Sequence, residues 1–183
     1  MSYCEISKDH PVHGPHHDSE YGRFVDRDDV LLERMAMEIN QAGLSWLLIL
    51  KKRSAFYDAF EGFDPATVSR YGAREVERLL DDSRIIRNRC KIDAVIENAR
   101  RISAIVESHG SLAAWIEVRH PLCLTDWVKC MRANFVFMGP EVVNEFFMSI
   151  GYLPGAHDAD CPVGREIAQQ RPPWMQVSPP GGW

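Results

Sequence analysis

The sequence lacks a long hydrophobic run, an export signal and an excess of positive charge. No uninterrupted apolar stretch exceeds five residues, the length of Trp46 to Leu50, whereas a helix needs about 20 apolar residues to cross a bilayer. The N-terminus is polar and rich in histidine, without the basic and then apolar segments of a secretory signal. These absences predict a cytoplasmic protein that is not associated with a membrane.

The five cysteines do not fit a disulfide framework, because their number is odd and no export signal indicates an oxidising compartment. The net charge is −5, and residues 1–33 carry the whole excess, with eight acids against three bases. This balance excludes a chain coated with positive charge for indiscriminate nucleic-acid binding. Two local basic clusters are nevertheless present, at Lys51 to Arg53 and at Arg84 to Lys91.

Apolar residues recur at helical spacing, and no β-rich run with turn residues competes with that pattern. Asp28, Ser45 and Asp64, which precedes Pro65, are typical residues for the starts of helices. Further helices are predicted near 76–80, 92–105, 111–118, 125–133 and 140–150. The length of 183 residues and the pattern predict one all-α domain over residues 1–161. Residues 162–183 contain five of the eleven prolines and are expected to form an extended tail.

Histidine and cysteine are concentrated near the two ends of the chain. His157 and Cys161 are separated by three residues, a spacing that allows both side chains to reach one ion. Cys4 and His17 could complete a Cys2His2 tetrahedron of the kind that zinc prefers. The ion would then clasp residues 4–17 to residues 157–161. On spacing alone, a chance arrangement of these residues is the alternative interpretation.

The segment from Glu38 to Trp46 places a carboxylate, an amide and an indole around a glycine break between two apolar helices. Such side chains can converge on a cavity. The alternative is a surface ion pair between Glu38 and Arg34, one helical turn earlier, which would contribute only a few tenths of a kcal/mol.

A second helical pair surrounds the turn from Ser83 to Lys91. Backbone N–H groups in this turn could form a phosphate site, which basic side chains would reinforce. These DNA-backbone candidates are Arg84, Arg87, Asn88, Arg89 and Lys91. The alternative is a plain helical hairpin whose arginines are merely solvated.

Taken together, these motifs resemble the DNA-3-methyladenine glycosylase I family of the helix-hairpin-helix superfamily. The resemblance runs from Cys4 to Cys161. The residues that carry it are Cys4, His17 to Gly22, Glu38, Gln41 to Trp46, Leu50 to Arg53, Phe60, Phe63 to Pro65, Ile85 to Asn88, Lys91-Ile92, Asn98-Ala99, Phe135-Val136, Gly139-Pro140, His157 and Cys161.

The resemblance implies a helix-hairpin-helix fold whose ends are tied by one structural zinc ion, bound by the four cysteine and histidine residues above. It also implies excision of 3-methyladenine from alkylated double-stranded DNA by hydrolysis of the N-glycosidic bond of a flipped nucleotide. Glu38 is then the catalytic residue that bonds the base edge. The base pocket is expected to include His16, Tyr21, Gln41, Trp46 and Ile6. We expect a monomer.

The chemistry suits these parts, because 3-methyladenine is cationic and its glycosidic bond is already weak. The enzyme chiefly has to extrude the base, bind it and stabilise an oxocarbenium-like state. No lysine stands at a position identifiable as a covalent nucleophile. The sequence therefore predicts a monofunctional glycosylase that leaves an abasic site.

Several positions depart from the family pattern. In the expected pocket, His16 replaces a typical Tyr, Ile6 an aromatic residue and Tyr21 a Trp. Arg84 and Cys90 stand where related hairpins use glycine. In the last helix, acids or amides replace hydroxyl, aromatic or small residues at Glu141, Asn144 and Glu145.

These departures leave two other functions open from the sequence. One is a zinc-stabilised nucleobase-binding or DNA-damage-binding protein in which excision has changed or been lost. The other is a hydrolase of free modified nucleosides, which would not need duplex DNA.

Overall fold

Twelve α-helices and no β-strand occur within residues 2–183, the part of the chain described by the computed structural model. The prediction of an all-α fold is therefore confirmed. The helices are α1 (Tyr3–Ser7), α2 (His13–Ser19), α3 (Asp28–Gln41), α4 (Trp46–Ala59), α5 (Pro65–Val68), α6 (Ala73–Asp81), α7 (Arg89–His109), α8 (Leu112–Glu117), α9 (Leu124–Asn134), α10 (Pro140–Ser149), α11 (Pro162–Gln169) and α12 (Pro173–Gln176), with a 3-10 turn at Glu61–Phe63. Within residues 2–183, no helix is both long and apolar enough to cross a membrane.

Two of the three predicted helix caps are confirmed. The Ser45 hydroxyl accepts from the Leu48 N–H at 3.3 Å, and the Asp64 carboxylate accepts from the Thr67 N–H at 2.8 Å. Asp28 is not a cap of its own helix, because α3 begins at that residue. Its carboxylate instead accepts from the Leu112 N–H at 2.7 Å, so that it joins the start of α3 to the start of α8.

The core is built around α3, which packs against α4, α7 and α10. Its apolar side chains are removed from water on nearly all sides: Leu31, Leu32, Met35 and Ile39 are fully buried. A helix that is buried all round carries its polar residues into the interior with it. This burial explains how Glu38, in the last turn of α3, comes to be only 5% exposed.

Two short helices at the N-terminus, α1 and α2, were not among the predicted elements. Helix α1 begins with a reciprocal capping box, in which the Ser2 hydroxyl accepts from the Glu5 N–H and the Glu5 carboxylate accepts from the Ser2 N–H. An element of five residues is too short to produce a periodic hydrophobic pattern. These helices matter because they place Cys4 and His17 close together.

The prediction of an extended C-terminal tail is wrong. Residues 162–183 contain α11 and α12, each of which has proline in its first turn, where the missing N–H costs no hydrogen bond. The tail also packs on the rest of the chain. Ile167 is buried, the Trp174 N–H donates to the Gly151 carbonyl at 3.3 Å, and His120 bonds the Pro173 carbonyl.

A buried amide fixes the loop that leads into α10. Asn98 on α7 is fully buried, and its side chain donates to the Val136 carbonyl at 3.1 Å while accepting from the Val136 N–H at 2.8 Å. The Asn98 side chain thus takes the place of a backbone partner for both the N–H and the carbonyl of Val136. Because residues 135–139 form no helix or strand of their own, these two hydrogen bonds fix the distance between the loop and α7.

We expect Asn98→Ala to lower the free energy of unfolding by about 2–4 kcal/mol, because it leaves two backbone groups without a buried partner. Urea unfolding measures this change. The matched control is Asn134→Ala, which removes one bond to the Cys130 carbonyl at the end of α9 and should cost less than about 1 kcal/mol, since water can replace it. Equal losses in the two variants would contradict the assigned role of Asn98.

Candidate active site and metal centre

A cavity of about 340 Å³ lies where α1, α3, α4 and α10 meet the loop that follows α10. This volume is at the small end of the range of about 300–1,000 Å³ usual for ligand pockets. The wall consists of aromatic and acidic side chains together with small loop residues. Its members are Ser2, Tyr3, Cys4, Tyr21, Glu38, Gln41, Trp46, Glu145, Met148, Gly155, Ala156 and Asp158. The cavity thus contains Tyr21, Glu38, Gln41 and Trp46 from the predicted set.

The carboxylate of Glu38 is buried at this cavity without a hydrogen-bond partner within residues 2–183. Burial, with a further contribution from the negative charge of Glu145, raises the pKa of Glu38 to about 8. The alternative of a surface pair with Arg34 is wrong. Arg34 is itself buried and donates to the Glu20 carboxylate at 2.6 Å. Glu38 is therefore free to bond a molecule in the cavity.

A chain of hydrogen bonds fixes the aromatic side of the cavity. Arg34 Nη1 lies 2.8 Å from His16 Nε2, and His16 Nδ1 lies 3.0 Å from the Tyr3 hydroxyl. Arginine can only donate, so Nε2 accepts and Nδ1 carries the proton that His16 donates to Tyr3. Burial, helped by the charge of Arg34, lowers the pKa of His16 to about 2, which keeps the ring neutral. The Tyr3 hydroxyl also accepts from Trp46 Nε1 at 3.2 Å.

Two predicted pocket residues do not line the cavity. Ile6 is on α1 with 40% of its surface exposed, outside the cavity wall. His16 is buried behind the wall, 5.3 Å from the Trp46 ring between centroids, where it supports Tyr3 and Trp46. Helix α1 turns Tyr3, rather than Ile6, toward the cavity. Tyr3 was not among the residues predicted from the sequence. Its position directly before Cys4 is the only local feature that could have indicated it.

Glu145 on α10 is a second carboxylate in the cavity wall. Its Oε2 accepts from the Tyr21 hydroxyl at 3.0 Å, and burial raises its pKa. The same burial raises the pKa of Tyr21, so this hydroxyl keeps its proton and remains a donor. The departures from the family pattern at positions 21 and 145 are thus in contact with each other.

The four predicted metal ligands converge, although they come from opposite ends of the chain. Their ligand atoms all lie within 4.8 Å of one another. His17 Nε2 is 3.3 Å from Cys4 Sγ, 3.1 Å from His157 Nδ1 and 3.7 Å from Cys161 Sγ. Zinc bonds of about 2.3 Å to sulfur and about 2.0 Å to nitrogen require tetrahedral ligands about 3.3–3.8 Å apart. The cluster could hold one metal ion of this kind.

The two histidines of this cluster are also oriented as metal ligands usually are. His17 Nδ1 lies 2.7 Å from the Asp18 carboxylate, and His157 Nε2 lies 2.8 Å from the Tyr21 carbonyl. Each ring therefore donates its distal N–H to an oxygen and presents its other nitrogen to the cluster. With four protein ligands, the arrangement has no open position for water, which is the pattern of a structural site.

The predicted DNA-backbone residues have different environments. Lys91 is buried, and its Nζ donates to the Asn40 and Ala42 carbonyls at 2.7 and 2.6 Å. Asn88 caps α7 by accepting from the Lys91 N–H. Arg84 is exposed but is bound in a bidentate pair to Asp82, with donor distances of 3.0 and 2.8 Å.

Lys91 therefore cannot contact a phosphate in this arrangement. Instead it holds the loop between α3 and α4 against the start of α7. Arg87 and Arg89 are exposed and have no ion pair within residues 2–183. They are the two members of the predicted set whose charge is available to an anion.

A larger groove of about 610 Å³ lies between α8 and the C-terminal residues, on other elements than Glu38. Its carboxylate, Glu117, accepts from the Tyr152 hydroxyl at 2.9 Å. The groove contains neither an unpaired buried carboxylate nor a convergent set of ligands within the described part of the chain. The smaller cavity is the candidate active site because the chemistry is concentrated there.

The raised pKa of Glu38 predicts how stability depends on pH. The folded chain keeps the Glu38 proton up to about pH 8, whereas the unfolded chain releases it near 4.3. The stability that depends on this proton is therefore present at low pH and is lost as the pH rises through the pKa that Glu38 has in the folded chain. Glu38→Gln, which is neutral at every pH, should melt higher than the wild type by an amount that grows from pH 5 to pH 8.

Melting temperatures between pH 5 and 9 test this expectation, at about 2–4 °C for each kcal/mol in a chain of this size. Glu107→Gln, an exposed glutamate of α7 outside the cavity, is the control and should show a difference that does not vary with pH. If the difference in melting temperature between Glu38→Gln and the wild type did not change with pH, the Glu38 carboxylate would have an ordinary pKa in the folded chain.

The chain is similar in sequence to known DNA-3-methyladenine glycosylases. The curated DNA-3-methyladenine glycosylase of Haemophilus influenzae is 28% identical over 179 residues, covering 87% of this chain and 96% of the relative. DNA-3-methyladenine glycosylase 1 of Escherichia coli is 41% identical over 96 residues, which is 52% of this chain and 51% of that protein.

Solved structures of 3-methyladenine DNA glycosylase I have the same fold. The Staphylococcus aureus enzyme, in a structure that describes its recognition of 3-methyladenine, superposes with a TM-score of 0.78 at 28% identity, covering 89% of this chain and 96% of the other. A model of the methyladenine glycosylase family matches residues 6–121. The chain therefore belongs to the methyladenine glycosylase family.

Proposed function

We propose that this protein is a base-excision repair glycosylase that hydrolyses the N-glycosidic bond of an alkylated purine in double-stranded DNA, with 3-methyladenine as its principal base. The observation that carries the proposal is the unpaired, buried carboxylate of Glu38 in a cavity walled by three aromatic rings, those of Tyr3, Tyr21 and Trp46. Family membership makes the chain an N-glycosylase, and the cavity supports the choice of base.

The cavity matches the charge and shape of the proposed base. A flat cation gains from aromatic faces and from a carboxylate that needs no rearrangement to receive it. Binding a cationic base favours the ionised form of Glu38 and so lowers its pKa toward the usual range. The carboxylate would then accept a hydrogen bond from the base edge and stabilise the positive charge that develops on the sugar.

A base can reach this buried carboxylate only when its nucleotide is turned out of the duplex. We propose that the hairpin between α6 and α7 contacts the backbone through Arg87, Arg89 and the N–H groups at the start of α7. Lys91 supports that surface indirectly by fixing the adjoining loop between α3 and α4. No side-chain nucleophile is needed, so the product is an abasic site.

The changes at His16 and Ile6 no longer argue for lost excision. Neither side chain forms part of the cavity wall, so the aromatic surface is not reduced by these two substitutions. Tyr3 supplies a ring that the local pattern did not predict. We therefore favour an active enzyme over a protein that only binds damaged DNA.

We further propose that the four-ligand cluster holds one structural zinc ion. Cys4 and His17 would bind it from the N-terminal helices, and His157 and Cys161 from the loop before α11. The ion supplies no chemistry to the reaction. It fixes α1 against the loop that follows α10, and both elements contribute to the cavity wall.

We expect the purified protein to release 3-methyladenine from methylated duplex DNA and Glu38→Ala to reduce the release rate by at least about 100-fold. A loss of this size corresponds to about 2.7 kcal/mol of transition-state stabilisation. Chromatography of the released base measures the rate, and binding of an abasic-site duplex checks that the variant still recognises DNA. Glu107→Ala should behave as the wild type.

Release that is unchanged in Glu38→Ala would refute the role given to this carboxylate. Binding without release in the folded wild type would instead favour the function of a damage-binding protein.

Metal analysis tests the cluster. We expect one zinc per chain in the wild type and far less in Cys161→Ser, with a lower melting temperature, because binding of the ion contributes directly to folding. Cys123→Ser removes a thiol outside the cluster and should keep both the metal and the stability. A metal-free wild type that melts no higher than Cys161→Ser would rule out the structural ion.

A further inference from the structure

The two carboxylates of the cavity form an unusual pair. Glu38 comes from α3 and Glu145 from α10, and both line the same 340 Å³ cavity. Glu145 has a defined donor, the Tyr21 hydroxyl at 3.0 Å, whereas Glu38 has no hydrogen-bond partner in residues 2–183. One acid is thus held in place and the other faces the cavity unpaired.

The surroundings do not neutralise this pair with a cation. The charge of Arg34 acts on Glu38 and favours its ionised form, yet the Arg34 guanidinium bonds Glu20 and His16 instead. No lysine or arginine lies within 4 Å of either carboxylate in the described chain. The other titratable groups that act on the pair or line its cavity carry no positive charge, and they are Tyr3, Cys4, Tyr21, Glu141 and Asp158.

Two largely buried carboxyl groups in one cavity without a cation partner cannot both ionise at low cost, so one of them keeps a proton. Burial and the negative charge of Glu145 raise the pKa of Glu38 to about 8, and burial also raises the pKa of Glu145. At neutral pH the cavity therefore keeps a proton on Glu38. A site of this kind can donate a hydrogen as well as accept one.

We propose that Glu38, kept protonated in the same cavity as Glu145, acts as a general acid, so that the substrate class extends from cationic to uncharged damaged purines. This inference rests on the proposed glycosylase function. An uncharged purine is a poor leaving group until a ring nitrogen is protonated, whereas 3-methyladenine already carries the positive charge. The pair supplies the missing proton.

The reaction balances with water as the only co-reactant. The protonated carboxyl gives its proton to a ring nitrogen of the base, and the bond between N9 and C1′ breaks with its electron pair moving to the base. Water adds to the sugar cation at C1′ and returns a proton to the ionised pair. The products are the free purine and an abasic site, and the acid is restored.

The two substrate classes require opposite protonation states of the free enzyme. An uncharged base needs the protonated pair, so kcat/KM for its release should fall as the pH rises through about 8. A cationic base is best received by the fully ionised pair, so kcat/KM for 3-methyladenine should rise over the same interval. Opposed pH profiles on one enzyme are a signature that a merely structural role would not give.

The test uses two duplexes, one methylated and one with a single hypoxanthine as the uncharged purine. Rates are measured from pH 6 to 9 for the wild type, Glu145→Gln and Glu145→Ala. We expect the wild type to release both bases with opposed pH profiles. In the variants, the ratio of hypoxanthine release to 3-methyladenine release should fall by about 100-fold, within the range contributed by general acids. Glu107→Gln should leave the ratio unchanged.

Melting temperatures near that of the wild type confirm that the variants are folded, and Glu145→Gln preserves the size of the side chain if Glu145→Ala fails to fold. Release of 3-methyladenine without hypoxanthine at any pH would overturn the general acid and leave the proposed function intact. Release of neither base would overturn both. A ratio that is unchanged in folded Glu145→Gln would exclude Glu145 from the acid.

Discussion

The burial of a carboxylate without a partner is the constraint on which the rest of the site depends. Glu38 lies in the last turn of a helix that is enclosed on nearly all sides, and an uncompensated charge in such a place is costly. The chain relieves this cost by raising the pKa of Glu38. The surrounding aromatic rings and the neighbouring Glu145 then define a cavity in which a cation or a proton donor is favoured.

The buried arginine beside this site has a different task. Arg34 is paired with Glu20 and oriented by His16, so its charge is satisfied away from the cavity. The contact with Arg34 selects the His16 tautomer that donates to the Tyr3 hydroxyl. That hydroxyl in turn accepts from Trp46 Nε1. Hydrogen bonds that link several side chains in this way restrict the rotation of each of them. The aromatic wall is therefore positioned before any base enters.

The sequence predicted different features of this protein with different success. Helix starts at Ser45 and Asp64 followed from local capping chemistry, and they are confirmed because a cap needs only its own first turn. Asp28 has the same residue chemistry but serves another helix, which local pattern cannot reveal. The inward position of Tyr3 and the exposure of Ile6 could not be predicted for a similar reason: a five-residue helix gives no periodic signal to show which side faces inward.

By itself the sequence determined the all-α fold and, by resemblance, the family, and it named Glu38 and the four Cys and His residues as candidates, because periodicity, residue type and motifs are properties of the chain alone. Only the tertiary structure decided which side chains reach the cavity and which charges are free. It turned Tyr3 toward Glu38, placed Glu145 against Tyr21 and bound Lys91 to backbone carbonyls. These outcomes depend on contacts between residues as many as 124 positions apart, and such contacts arise from packing rather than from any local pattern.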